Sequence, residues 1–475
     1  MQAGPIIRTN LQIYAKLCNL QRSGKDAPHN SLTSNTLTER RFPCAGESPF
    51  KQHGDYQQVK RRSREEEIWL YSCLIHIQVG KSRLFELYLY VMKKLFALVM
   101  FGLAGLALHA SPTDIVCGPW ISDISQTSFT VNWLTEGDAL SWVEAGEDDG
   151  CVFYASQKQK YYQTVAGKRM TGTKHSVTVS GLKPGTRYVY RLCGKRIAEG
   201  SNAYHMKYGS QHATKEKYTV RTLDHNAKSC RFAIVSDIHG RDEHFKSLIT
   251  GLTPDSLDFF VVNGDLVSDI YDIDKTTRHA VDPIKSLVAN LPYMYVRGNH
   301  EGRGHAHHQL TDIFPMREKD GWYYTFRQGP VAFIVLDAGE DKPDSDVEYG
   351  DLAEYDPYRQ TQLEWLKEAV KRPEIASAPV KICLMHIPAF RNKTTWYAQN
   401  WANENFVPVL NKAGVKLMLS GHKHKHIFVP TGDCGNDFPI LCSSNNERFN
   451  VTSDGMTITV KAYDPNGKLT NSYTF

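Results

Sequence analysis

The sequence predicts a small all-β sandwich followed by a larger layered α/β domain, and three observations carry that prediction. From Ile115 to about Thr222, short runs alternate apolar and polar residues between Gly, Asp and Lys turns, the period-2 pattern of half-buried strands. From Arg231 the period changes to short, wholly apolar runs separated by helix-period segments, as expected of strands covered on both faces. The chain has 475 residues, 41% of them hydrophobic and 11% aromatic. That length and composition suit two or three domains of about 100–200 residues and exclude a disordered, collagen-like or coiled-coil chain.

The formal charge of +5 invites a nucleic-acid reading, but its distribution argues against one. Residues 1–110 carry 15 Lys+Arg against 8 Asp+Glu, and the remaining residues carry 41 against 43. The basic excess therefore lies wholly in the leading segment. There, Met92-Lys93-Lys94 precedes a charge-free apolar run from Leu95 to Leu108, followed by His109-Ala110-Ser111-Pro112. A short cationic start, an apolar stretch and a small residue before a polar turn form a secretory signal pattern. The run is shorter than the ~20 residues of a membrane span, so no stable span is expected in the mature form. Residues 92–110 read as a signal peptide with the mature start near Ser111. Residues 1–91 then have no evident role, with translation expected from Met92; the alternative is a disordered arm ahead of a signal anchor. Export implies a periplasmic or extracellular location and an oxidising compartment. Seven cysteines follow residue 110, of which Cys434 and Cys442 flank a short turn and could pair locally or be two small core residues.

Within the first domain, taken as 113–224, Ser128–Trp133 and Ser176–Val179 read as strands. In Leu182–Tyr190, Pro184-Gly185 supplies a turn, after which Tyr188 and Tyr190 share one strand face, where a Tyr can close a sandwich corner. This Leu-x-Pro-Gly-Thr-x-Tyr segment, with a Trp on an early strand, resembles the fibronectin type III fold. It is similar in particular to the small sandwich that precedes the catalytic domain of purple-acid-phosphatase-like proteins. Nothing in it looks catalytic, so its expected role is structural.

In the second domain, taken as 229–475, the apolar runs Phe232–Val235, Phe259–Val262, Tyr293–Val296, Ala332–Leu336, Lys381–Met385 and Val415–Leu419 read as buried strands. Tyr358–Val370 has helix spacing, with Gln362, Trp365, Leu366 and Ala369 in register. The tail from Met456 to Phe475 alternates as a hairpin about Asp464–Gly467.

Function is carried by the polar residues at the ends of these strands. The first strand ends in Ser236-Asp237-Ile238-His239-Gly240, the second in Asn263-Gly264-Asp265 and the third in Arg297-Gly298-Asn299-His300-Glu301. Later strands end in His386 and in Gly421-His422-Lys423-His424. Ligands of open α/β sheets gather beyond the carboxyl ends of strands, so the five loops are expected to converge. Their Asp/Asn oxygens and imidazoles form a mixed O/N environment suited to two borderline metal ions. A shared carboxylate can hold such a pair ~3.5–4 Å apart, the spacing that activates water for an in-line displacement. The glycines before Asp265, Asn299 and His422 are expected to let the backbone turn tightly off the strands. His300 sits beside a ligand and could protonate a leaving oxygen. A single Asp-x-His or Gly-Asp is weak alone; five such blocks in order, each directly after an apolar strand, are not readily accidental.

Together these blocks resemble the calcineurin-like metallophosphoesterase superfamily over essentially all of 231–475. The resemblance implies a β-sandwich core flanked by helices and hydrolysis of phosphomonoesters, phosphodiesters or pyrophosphate bonds. It implies that Asp237, His239 and His424 hold one metal, that Asn299, His386 and His422 hold the other, that Asp265 bridges them, and that His300 lies near the scissile phosphate. True purple acid phosphatases have Asp-x-Gly in the first block and a Tyr three residues after the bridging Asp; here those positions are His239 and Ser268. A ferric-tyrosinate centre is therefore not expected, and Mn, Zn or Fe pairs stay open.

The implied reaction is hydrolysis by a metal-bridging hydroxide, with no covalent phosphoenzyme. A small phosphomonoester is the expected substrate, a phosphodiester the alternative, and an inert exported binding protein the remote one; nucleic acid is not expected. Arg303 and His305, with His307 and His308, could line the phosphate pocket or form a solvated loop. Trp396, Tyr397 and Trp401 could stack on an aromatic leaving group or pack their own loop down. Asp341, Asp344, Asp346, Glu348 and Asp351 read as a solvated acidic insertion. Phosphate loops of the Gly-x-x-x-x-Gly-Lys type are absent, so NTP-driven chemistry gains no support. Oligomeric state is not legible.

Overall fold

The computed structural model describes residues 115–150 and 158–475. The expected signal peptide, residues 1–91 and Cys151 lie outside the described residues. Among the described residues no helix is long and apolar enough to cross a membrane.

The sandwich is built on β1 (Ile115–Ser122), β2 (Ser128–Glu147), β3 (Thr171–Ser180), β4 (Arg187–Ile197), β5 (Tyr208–Ala213) and β6 (Tyr218–Arg221). Strand β2 pairs antiparallel with β1, β3 and β4, and β4 also pairs with β5 and β6. The sequence marks only the first six residues of β2 as strand. The strand continues through the polar Glu136-Gly137-Asp138 stretch. Its pairing with β3 shifts register between Leu134 and Ala139, so the polar residues are absorbed as a bulge rather than a turn.

Both tyrosines of the predicted corner are buried, but they do different things. The Tyr188 hydroxyl accepts from the Lys183 amide at 2.9 Å, closing the corner. The Tyr190 hydroxyl instead donates to the Ala289 carbonyl of the second domain at 2.6 Å. Trp120 adds a second such tie, its indole N–H donating to the Ile313 carbonyl at 3.0 Å. One apolar cluster runs on from Phe129, Trp133 and Tyr190 to Phe232, Phe333 and Leu384. The sandwich thus shares its core with the second domain.

His175 is buried beside Trp133, with ring centroids 5.0 Å apart, and its Nε2 meets the Thr135 and Ser141 hydroxyls at 3.0 and 3.3 Å. Burial holds its pKa down to about 4 from an ordinary 6.5. The unfolded chain therefore takes up this proton before the folded one. The stability that neutral His175 contributes is complete above pH 6.5 and is lost as pH falls towards 4, by up to about 3 kcal/mol. We expect His175→Gln to flatten the fall of the denaturant midpoint between pH 6.5 and 4. An unchanged slope in the variant counts against this account.

The second domain has four layers. One sheet runs in the order β9 (Tyr293–Val296), β8 (Phe259–Asn263), β7 (Cys230–Val235), β16 (Arg448–Ser453), β17 (Ile458–Tyr463), β18 (Leu469–Thr474). The other runs β10 (Tyr324–Gln328), β11 (Val331–Leu336), β12 (Val380–Met385), β13 (Leu417–Ser420), β15 (Ile440–Cys442), β14 (Ile427–Val429). The pairs β7–β8, β8–β9, β11–β12, β12–β13 and β13–β15 are parallel, and β17–β18 is the predicted terminal hairpin.

The apolar runs are explained by this stacking, because every residue of β8, β9, β11 and β13 is buried. One set of side chains meets the facing sheet, as where Phe232 and Phe259 stack at 5.0 Å and Phe333 edges onto both. The other set meets helices: α1 (Asp242–Leu248) and α2 (Ile273–Val281) on the first sheet, α3 (Tyr355–Ala369) and α4 (Tyr397–Ala413) on the second. The helix predicted from Tyr358 begins three residues earlier.

Of the two readings of Cys434 and Cys442, the local pair is not the one found. Cys434 and Cys442 are free thiols: Cys442 is buried in β15, whereas the Cys434 thiol turns to the Asn436 side-chain oxygen at 3.2 Å. The acidic insertion is not uniformly solvated either. Asp341 is buried, and burial together with the neighbouring Glu340 pushes its carboxyl up to about 6. Asp344 accepts from the Tyr355 and Asp356 amides at the start of α3.

Candidate metal centre

The carboxyl ends of β7, β8, β9, β12 and β13 converge, and the loops they launch are tied together by backbone bonds. The Asp237 amide donates to Gly264 O at 3.0 Å, the His239 amide to Asp265 O at 2.9 Å and the Gly421 amide to His386 O at 3.0 Å. Tight turning off the strands is achieved by the functional residues themselves. Asp237, His239, Asp265, His422 and His424 all have φ between 52° and 68°, a left-handed conformation that costs non-glycine residues of the order of 1–2 kcal/mol each. Of the three glycines expected to provide the turns, only Gly264 has positive φ (83°). Gly298 and Gly421 serve close approach instead: a Cβ on Gly298 would lie 2.3 Å from Asp265 Oδ1, and one on Gly421 2.7 Å from Asp237 Oδ2.

All seven sequence-predicted ligand residues are brought together. Asp237, His239, Asp265 and His424 place ligand atoms within 4.8 Å of one another, and so do Asp265, His386 and His422. Asp265 belongs to both groups. His424 Nε2 lies 3.1 Å from both Asp237 Oδ1 and His239 Nε2. His386 Nε2 lies 3.1 Å from Asp265 Oδ2, and Asn299 Oδ1 lies 3.2 Å from His422 Nδ1. His300 stands at the edge, its Nε2 3.9 Å from Asp265 Oδ2 and its Nδ1 donating to Ser268 O at 2.9 Å. The Ser268 hydroxyl reaches His239 Nδ1 at 3.4 Å.

These donors suit metal ions. His386 donates through Nδ1 to the Asn263 carbonyl at 2.7 Å, which turns its buried Nε2 towards the cluster and the Asp265 carboxylate. Such outer bonds fix the tautomer of ligating histidines. Burial holds His422 down to about 3 and His239 down to about 4, so both present neutral imidazoles, the ligating form. Burial works against the imidazolium of His386 too, yet the Asp265 charge outweighs it and pushes His386 up to about 10. The same pairing overcomes burial at Asp265 and holds its carboxyl well below the usual range. The two buried carboxylates require positive charge beside them, and two cations would meet that requirement.

Sequence reasoning did not assign a role to Glu301. It is buried and accepts from four amides: Gly298 at 2.8 Å, Asp265 at 3.1 Å, Leu266 at 2.6 Å and Val267 at 3.3 Å. It therefore pins the Asp265 loop to the Asn299 loop. Burial and the Asp265 charge push its carboxyl up to about 7, against the pull of those amides. Ser236, whose hydroxyl touches Asp237 Oδ2 at 2.5 Å and Ser443 Oγ at 2.8 Å, was likewise missed. Four further residues stand apart from the ligand cluster. His305 is exposed against Tyr271, with centroids 5.3 Å apart. Trp396 and Tyr397 are exposed, while Trp401 packs edge-on to Phe406.

Two mixed sheets covered by helices thus carry a partly buried, two-group cluster of ligand-type residues at the carboxyl ends of their parallel strands, and comparison with known proteins bears on it. Residues 230–426 match the calcineurin-like phosphoesterase family model and residues 119–222 match the purple acid phosphatase N-terminal domain. The two matches follow one another along the chain in that order. Among curated proteins it is 25% identical over 291 residues to purple acid phosphatase 15 of Arabidopsis thaliana, a match covering 54% of this chain and 49% of that protein. It is 22% identical over 404 residues to purple acid phosphatase 23 of the same plant, covering 68% and 82%. The match thus spans about half the length of the former. Among solved structures it resembles purple acid phosphatase PPD1 from yellow lupin seeds, with a TM-score of 0.58, 15% identity, and coverage of 77% of this chain and 75% of that one. That likeness establishes the fold.

Proposed function

We propose that this chain is an exported phosphoester hydrolase that requires two metal ions and acts on a small phosphomonoester. The observation that carries the reading is the pair of ligand groups sharing one carboxylate, Asp265. Asp237, His239, Asp265 and His424 would hold one ion, and Asp265, Asn299, His386 and His422 the other. Ions of the Mn, Zn or Fe type supply Lewis acidity there and lower the pKa of coordinated water towards ~7.

The protein's own groups then do the rest. The amide clamp of Glu301 and the bonds from His422 and His300 amides to Asp237 and Asp265 hold the carboxylates in place. His300, with its Nδ1–H committed to Ser268 O, would meet the leaving oxygen through Nε2, acting as an acid when that nitrogen also carries a proton. Arg303, with Nη1 3.1 Å from the His300 ring nitrogens, offers positive charge at the same edge for the substrate phosphate; His305 lies farther out. Export rests on the 92–110 pattern. The phosphodiester alternative uses the same groups.

The test takes metal-stripped full-length protein reloaded with Mn, Zn or Fe, and compares an aryl phosphomonoester with its bis-aryl diester. Metal-dependent turnover favouring the monoester is expected. Preference for the diester would promote the alternative, and a protein that binds no metal would end the reading.

A further inference from the structure

Glu340 lies in the loop after β11, well beyond His300-Glu301 in the chain, and none of the motif blocks includes it. Its carboxylate is buried and makes three contacts. It takes the Arg303 guanidinium in a fork, with Nε to Oε1 at 2.6 Å and Nη2 to Oε2 at 3.0 Å, and it accepts from Asn299 Nδ2 at 3.3 Å. The loop that carries it is fixed in turn. The fully buried Arg359 of α3 donates to Ala338 O at 2.7 Å and to Glu340 O at 2.6 Å. At Gly339, φ is 65° and a Cβ would strike the Tyr355 ring at 2.3 Å.

An ionised carboxylate only accepts, so its contact with Asn299 must come from the amide N–H₂ end. That choice turns Asn299 Oδ1 the other way, towards His422 Nδ1 at 3.2 Å. Without an acceptor at this place the amide is free to rotate and present its N–H₂ group to the ligand cluster, where it repels a cation instead of binding one. We propose that Glu340 is a positioning residue for the metal centre: it sets which face of the Asn299 amide meets the second ion and, through Arg303, ties that ligand to His300. The inference rests on the two-ion reading above.

The test is calorimetric titration of metal-stripped full-length protein with Mn²⁺, without substrate, for the parent, Glu340→Gln, Arg303→Met and Asn299→Ala, each checked for native circular dichroism. The parent should bind two ions. Glu340→Gln, which puts an amide where the acceptor carboxylate stood, should weaken one of the two by about 10–100-fold, the usual effect of losing an outer partner of a ligand. Arg303→Met keeps the Glu340–Asn299 contact and should leave both affinities within a few-fold. Two outcomes overturn the proposal: unchanged affinities in Glu340→Gln while Asn299→Ala loses one ion, or equal weakening in Arg303→Met and Glu340→Gln, which would mean general loosening. If Asn299→Ala also retains both ions, the ligand assignment itself fails, and the proposal fails with it. Should Glu340→Gln not fold, Glu340→Asp serves, with weakening of the same single ion expected.

Discussion

Asp265→Asn is expected to remove nearly all hydrolysis and to lower metal content while leaving the fold in place. Asp265 Oδ1 accepts the His300 amide at 3.1 Å, and Oδ2 faces His386 at 3.1 Å, His239 at 3.8 Å and His300 at 3.9 Å. An Asn side chain has the same shape, and its single oxygen would stay with the His300 amide. The N–H₂ group would then occupy the Oδ2 position, aiming hydrogens at the atoms meant to surround two cations. The site loses a unit of negative charge and the one ligand its two groups share. Loss of an outer partner of a metal ligand costs about 10–100-fold, so loss of the shared ligand is expected to cost at least about 100-fold in kcat/KM. The measurement pairs aryl phosphate turnover with metal content per folded chain. A variant that holds two ions and turns over at the parent rate would overturn the assignment of Asp265 and, with it, the proposed function.

Why the candidate ligand cluster was legible and its supports were not has a physical basis. A strand covered on both faces must be apolar throughout, as Phe259–Val262 and Ala332–Leu336 are. The first polar residues after it therefore mark where the chain leaves the core, and five such exits carry ligand-type residues. That signal is local in sequence. The supports act through space. Glu301 is visible in its motif, but its four amide partners come from two loops, and no spacing rule announces them. Glu340 reaches Asn299 only because α3 folds back and Arg359 grips its loop. The buried Asp341 was misread for the same reason: local polarity was taken for exposure, whereas cross-chain bonds and packing decide burial.

The glycines are a sharper case, because the sequence marked the right positions with the wrong reason at two of the three. A turn needs φ, and at Gly298 and Gly421 the structure needs room. The left-handed backbone sits instead on Asp237, His239, Asp265, His422 and His424. Asp and His tolerate that region better than β-branched residues do, so the ligand types themselves permit the turns, at an energetic cost the surrounding bonds must offset. Strain of this kind gathers where the structure over-determines a residue, as the Glu301 clamp and the amide bonds to Asp237 do here.

Gly264 combines both demands, which makes Gly264→Ala the second large effect. Its φ is 83°, and an added Cβ would fall 2.3 Å from His386 Nδ1 and 2.4 Å from Cγ. The ring cannot yield cheaply: it is fully buried, and Nδ1 holds the Asn263 carbonyl at 2.7 Å. Either the ring moves and the second ligand group loses a member, or the Gly264-Asp265 backbone moves and carries the shared carboxylate with it. Both routes damage the metal centre, so at least about 100-fold loss of activity is expected, along with about 1–3 kcal/mol of overpacking cost in stability. Gly414→Ala separates strain from crowding. Gly414 ends α4 with φ of 74°, and nothing lies within 4 Å of its would-be Cβ. That variant should cost about 1–2 kcal/mol from the left-handed backbone alone, with turnover and metal content unchanged. If Gly264→Ala merely matches Gly414→Ala, losing stability but keeping two ions and full turnover, then close packing of Gly264 on His386 does not position the metal centre.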